Sequence, residues 1–150
     1  MQPLPEDLRL GFPVGSVQRD KADEVWPGIA RSYELAKKYK IKTAWGTDVL
    51  FSSANATRQG ALLVMMQKWY SPAEVLSMVT ATNAELLALS GARNPYPGEL
   101  GVIEEGALAD LLLVDGNPLE NIQLIADPAR NFLVIMKDGV IYKNTLGAAR

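Results

Sequence analysis

The residue best placed to do chemistry in this sequence is Asp48, which closes the stretch Ile41-Lys42-Thr43-Ala44-Trp45-Gly46-Thr47-Asp48. Residues 41–47 read as a short buried strand, and Asp48 stands at its carboxyl end. Val49-Leu50-Phe51 and the small polar run Ser52-Ser53-Ala54-Asn55-Ala56-Thr57 follow. In barrels and open sheets built from α/β units, reacting groups sit at that end of a strand. A carboxylate there can accept a proton from water or offer oxygen to a cation. It can equally solvate a loop or cap the next helix. Spacing alone leaves those roles open.

Two other acids, Asp110 and Asp115, could in principle form an oxygen-only site for Mg or Ca. Asp115-Gly116 is better read as a turn, without the spacing of a calcium loop. Asp110 comes at a strand start, where a local hydrogen bond is expected. The absences weigh more. The sequence has no Cys, which excludes disulfides, thiolate catalysis and Fe–S clusters. It also has no His, so it holds no imidazole base and no triad. A catalytic zinc typically takes about three protein ligands, mostly imidazole or thiolate, and this chain offers only oxygen.

Composition sets the remaining bounds. At 150 residues, 48% apolar and 21% charged, the chain is globular in character. Its net charge of −2 supplies no basic field for nucleic acid. The one basic cluster, Lys37-Lys38-Tyr39-Lys40 with Lys42, suits a helix carboxyl end. No apolar run is long enough to span a bilayer, and the first residues do not resemble an export signal. Neither nucleic acid nor membrane is therefore expected as a partner, and the compartment is left open.

The elements that must position Asp48 can be taken in order. Residues 1–16, with three Pro and two Gly, read as an irregular surface stretch. A helical pattern starts near Asp20 and is interrupted at Pro27-Gly28, with Pro27 placed in a fresh first turn. Trp26, Ile29, Ala30, Tyr33 and Ala36 then form its core stripe, and Glu34 can pair with Lys38. Arg58 to Trp69 is a second helical run, with Ala61, Leu62, Met65, Met66 and Trp69 on one side. Ser71-Pro72-Ala73-Glu74 is a capping box with Pro at the first helical position. Thr82-Asn83-Ala84-Glu85 reads as a second box that restarts the helix toward Leu86, Leu87 and Leu89, before Gly91 ends it. Beyond the turn cluster at 94–98 the pattern becomes strand-like. Leu100–Glu104 could be a short strand, Leu111–Val114 an apolar one, and Phe132–Lys137 with Val140–Lys143 a hairpin around Asp138-Gly139.

These segments, in this order, resemble the C-terminal part of an amidohydrolase-superfamily enzyme. The resemblance is carried by Ala-Trp-Gly-Thr-Asp at 44–48, Tyr-Ser-Pro-Ala-Glu-Val-Leu at 70–76, and Ala-Thr-Asn-Ala-Glu-Leu-Leu at 81–87. It continues through 101–119, which includes Glu-Gly-Ala-Leu-Ala-Asp, and Val-Ile-Met-Lys-Asp-Gly at 134–139. The most similar branch holds imidazolonepropionase-like and Xaa-Pro-dipeptidase-like hydrolases. The resemblance implies an α/β fold: a partial (β/α)8 TIM barrel, with 41–47 as the last barrel strand and 57–90 as the helices after it. C-terminal strands of a small β-sandwich would follow, giving domains at 1–92 and 93–150.

It further implies that Asp48 matches the strand-eight aspartate, a metal ligand that takes the proton of the attacking water. Zn2+ or another divalent metal would act in the complete enzyme, on amide, peptide or cyclic amide bonds of a small-molecule or peptide substrate. The family's other ligands, a His-X-His pair, a bridging Lys or Glu and two further His, are not in this sequence. The chain alone is therefore expected to bind no metal and to be inactive until a missing N-terminal part is supplied. The alternative is a truncated, non-catalytic remnant that self-associates or serves as an assembly or binding module.

Overall fold

A computed structural model describes residues 12–49 and 53–147. The expectation of an irregular start therefore falls, for residues 1–11, outside the described part, as does that for residues 50–52. Chain contacts divide the protein into two units, Met1–Lys42 and Thr43–Arg150.

The described part of the first unit is dominated by one helix, α1 (Val17–Lys38). It starts earlier than the apolar periodicity indicates because Ser16 caps it, its side chain accepting from the Arg19 N–H. Pro27 lies inside α1 rather than opening a new helix. It removes only the N–H that would reach the carbonyl of Asp23, and a 22-residue helix absorbs one missing bond. The expected stripe is present but half-buried: Trp26, Ile29, Ala30, Tyr33 and Ala36 all keep partial exposure. Glu34 pairs with Arg31 at 3.1 Å, one turn on the amino side, instead of with Lys38.

The end of α1 is a Schellman motif. The Ile41 N–H donates to the Ala36 carbonyl at 2.8 Å and the Lys40 N–H to the Lys37 carbonyl at 3.1 Å. Lys40 occupies the left-handed position, φ 52, that glycine fills in most such ends. Replacing it should relieve that strain. Lys40→Gly is expected to stabilise the chain by about 0.5–1 kcal/mol, read as a higher urea midpoint at unchanged slope.

The second unit holds α2 (Ser53–Ala56), α3 (Gln59–Val64), α4 (Pro72–Ser77), α5 (Asn83–Ala88) and α6 (Pro128–Asn131), with strands β1 (Leu111–Val114), β2 (Phe132–Lys137) and β3 (Val140–Asn144). Its architecture is helices with a small antiparallel sheet, ordered β1-β2-β3. The hairpin turn carries φ 50 at Asp138 and φ 74 at Gly139, the paired positive angles of a type I′ turn. The core is formed by Leu63, Val64, Met66, Tyr70, Val75, Met78, Ile122 and Phe132, with Val75 fully enclosed. Helix α3 packs on the 3-10 turn Ile122–Ala126, and Gly60 permits it, since a Cβ there would collide with the Ile125 carbonyl.

The capping box at Ser71 forms as expected: Glu74 Oε2 accepts from the Ser71 N–H at 2.7 Å, and Ser71 Oγ accepts from the Glu74 N–H. The second box does not form. Thr82 is helical and makes no side-chain cap, because a π turn, Met78–Thr82, carries the chain from α4 into α5 without a break. Leu100–Glu104 is irregular rather than a strand.

One tie outside the ladders fixes the hairpin. Asp110 accepts from Lys137 Nζ at 2.8 Å and from the Asp138 N–H at 2.6 Å, and Lys137 lies over the Tyr96 ring. The bond is thus long-range rather than local. The Lys137 ammonium and the Asp138 N–H hold the Asp110 carboxyl below the usual carboxylate range, and Asp110 in turn raises Lys137. A lowered acid contributes stability above its unfolded value, near 4, and loses it as pH falls through the lower folded value. The raised Lys137 contributes below its own unfolded value and loses it at the alkaline end. The 13C carboxyl titration of Asp110 should therefore show a midpoint below that of a free aspartate, rising toward it in Lys137→Ala. A midpoint unmoved by that substitution would dismiss the tie.

Candidate active site

The segment that carries Asp48 is not a strand in this structure. Residues 41–49 form no ladder, and β1–β3 are the strands of the described sheet. The apolar alternation suits pairing, yet a parallel strand exists only beside neighbours, and none of the described strands lies alongside it. Ile41, expected to be buried, is 60% exposed.

What holds this segment instead is a side chain. Asn83 Oδ1 accepts from the Trp45 N–H at 2.9 Å, and Asn83 Nδ2 donates to the Trp45 carbonyl at 2.9 Å. Three residues further, Asp48 adopts a left-handed backbone, φ 48. Aspartate is among the few non-glycine residues that tolerate this region, and such outliers concentrate where a side chain must be aimed. Asp48 is exposed, and its carboxylate takes no ion pair or side-chain hydrogen bond among the described residues. A water-facing carboxylate of this kind can accept a proton or coordinate.

Sequence reasoning assigned the Asn83 region to a cap and missed the grip on Trp45. The available signal was an Asn inside a helical run, a residue of modest helix propensity whose amide competes for backbone groups. A concavity of about 250 Å3 lies beside α5 and is lined by Ala84, Ala88, Glu85 and Glu99 among others. Neither Asp48 nor Trp45 lines it.

Metal chemistry needs more donors than this. Among the described residues no three His, Cys, Asp or Glu side chains converge, and the oxygens of Asp110 are engaged by Lys137 and the Asp138 N–H. Asp48 is a single donor. By themselves these residues do not fit a resident catalytic metal.

Comparison with known proteins gives the context. Residues 23–142 match the amidohydrolase family. No curated protein matches the chain. Among solved structures, an amidohydrolase shares 31% identity at a TM-score of 0.72, over 93% of this chain and 31% of that one. A prolidase crystallised with N-methylphosphonate-L-proline shares 27% identity, TM-score 0.73, over 91% of this chain and 31% of that one. The Aspergillus niger ochratoxinase, at 21% identity and TM-score 0.73 over 96% of this chain and 31% of that one, shows likeness of fold alone. The chain thus spans about a third of the length of these structures. With a match that runs from within α1 to the last strand of the sheet, the chain belongs to the amidohydrolase family.

Proposed function

We propose that this chain is the C-terminal part of a metal-dependent hydrolase of C–N bonds, in which Asp48 is a metal ligand and the carboxylate that takes a proton from the attacking water. The observation that carries this reading is the exposed, left-handed Asp48, three residues beyond a doubly held Trp45, inside the matched family region. The prolidase among the similar structures supports an amide or peptide substrate. Zn2+ or another divalent cation would be held mainly by residues outside this chain, since Asp48 is one donor where several are needed. In this reading residues 1–92 complete a barrel and residues 93–150 a β-sandwich.

The test is assembly. The chain is co-expressed with the part of the 31%-identical amidohydrolase that it does not span, and amide hydrolysis is measured with and without chelator. Hydrolysis that a chelator abolishes is expected. A folded, metal-supplied assembly without hydrolysis would overturn the proposal.

A second reading, a non-catalytic assembly module, draws on the apolar residues the sheet leaves open: Leu112, Leu113, Ile141 and Tyr142 are each about half exposed or more. Sedimentation separates the two. A monomer that binds no apolar dye would count against the module.

A further inference from the structure

We propose that Asn83 is the positioning residue for Asp48, set in place by the π turn that precedes it and by Gly101 packed against that turn. The proposal rests on the reading of Asp48 as the acting carboxylate.

A carboxamide presents one acceptor and a pair of donors from one planar group. Asn83 spends one of each on the N–H and carbonyl of a single residue, Trp45, at 2.9 Å both ways. That is the pair of bonds a neighbouring strand would exchange with it. One side chain, 38 residues away in sequence, therefore does for this segment what a ladder does elsewhere. Only Gly46 and Thr47 separate Trp45 from Asp48, so the path to the carboxylate is short.

The grip requires Asn83 to face the segment, and the π turn is what sets its direction. The Asn83 N–H reaches the carbonyl of Met78, five residues back, as well as that of Thr80. The turn is wedged in turn by Gly101. A Cβ on Gly101 would stand 2.5 Å from both the carbonyl carbon and oxygen of Thr80 and 2.8 Å from the Ala81 nitrogen. The 98–102 loop can lie on the turn's backbone only because that position is glycine. Gly101, the π turn, Asn83 and Trp45 are thus joined by backbone contacts and hydrogen bonds, and the covalent backbone of Gly46 and Thr47 leads on to Asp48.

Amide hydrogen exchange by NMR on the full chain tests this, with rates corrected for the intrinsic effect of pH. In Asn83→Ala the Trp45 amide should exchange about ten-fold faster or more, while the amides of α4 and β2 keep their rates. Unchanged exchange at Trp45 would overturn the proposal. Asn83→Asp guards against a variant that merely unfolds. Its carboxylate can accept from Trp45 but cannot donate. With the bond from its own N–H retained, Trp45 should stay better protected in Asn83→Asp than in Asn83→Ala; protection no better than in the alanine variant would also overturn it. In the assembled hydrolase, Asn83→Ala should lower kcat about ten-fold with little change in KM. If Asp48→Asn abolishes activity and Asn83→Ala leaves kcat intact, the positioning role is wrong. If Asp48→Asn itself leaves activity intact, it is the catalytic reading that fails.

Discussion

Asp48→Asn is expected to reduce kcat of the assembled hydrolase by roughly 10²–10⁴-fold while moving the stability of the chain by less than about 0.5 kcal/mol. The two halves of this expectation come from different features. Proton acceptance needs the carboxylate charge, and an amide of the same shape has no comparable basicity. The fold asks only that residue 48 tolerate φ 48, and asparagine enters the left-handed region as readily as aspartate. The side chain is exposed and gives up no ion pair among the described residues, so there is little stability to lose. Alanine would be the poorer probe, because it adds a backbone penalty of about 1 kcal/mol to the chemical one. Steady-state kinetics beside a thermal melt decide the matter: activity within two-fold of wild type would remove Asp48 from the reaction.

Gly101→Ala should destabilise the chain by about 3 kcal/mol or more, among the largest single-residue effects available in the second unit. Two costs coincide there. Residue 101 sits at φ 77, which an L side chain enters at about 1–2 kcal/mol, and its new methyl would meet the Thr80 carbonyl at 2.5 Å. Because the obstacle is backbone, it cannot swing aside. Gly98 provides the contrast. The atoms nearest its Cβ all belong to the Leu108 side chain, the first at 2.9 Å, and that leucine can change rotamer. Gly98→Ala is expected to cost less than about 1.5 kcal/mol. Urea unfolding of both variants measures the difference, and equal losses would refute the distinction between rigid and yielding neighbours.

Local chemistry was legible from the sequence wherever it is self-contained. The Ser71 box and the Asp138-Gly139 hairpin each depend on residues within a few positions of one another, and each stands where its residues indicate. Membership of the amidohydrolase family was legible in the order of several short segments, none sufficient alone. What was not legible depends on partners distant in sequence or on helix phase. Residues 41–47 carry a strand's pattern without a neighbour to pair with, and Thr82 carries a cap's pattern inside a turn that never leaves helical geometry. The hold of Asn83 on Trp45 and of Asp110 on Lys137 spans 38 and 27 residues, beyond any window of periodicity. For the candidate site, the sequence offered Asp48 as an expectation and gave no sign of the two bonds between Asn83 and Trp45.

A π turn accommodates one residue more than an α-helix of the same rise, so everything after it is offset by about 100° in azimuth. This offset decides which side of α5 is inward. It brings an amide toward Trp45, and it leaves Leu86, Leu87 and Leu89 at 55%, 39% and 83% exposure, although their spacing suits a buried stripe. A homologue shortened by one residue between Met78 and Thr82 would present its leucines differently and lose the amide's aim in the same stroke. Alignments that slide a gap through this turn would thus equate residues that point in unlike directions.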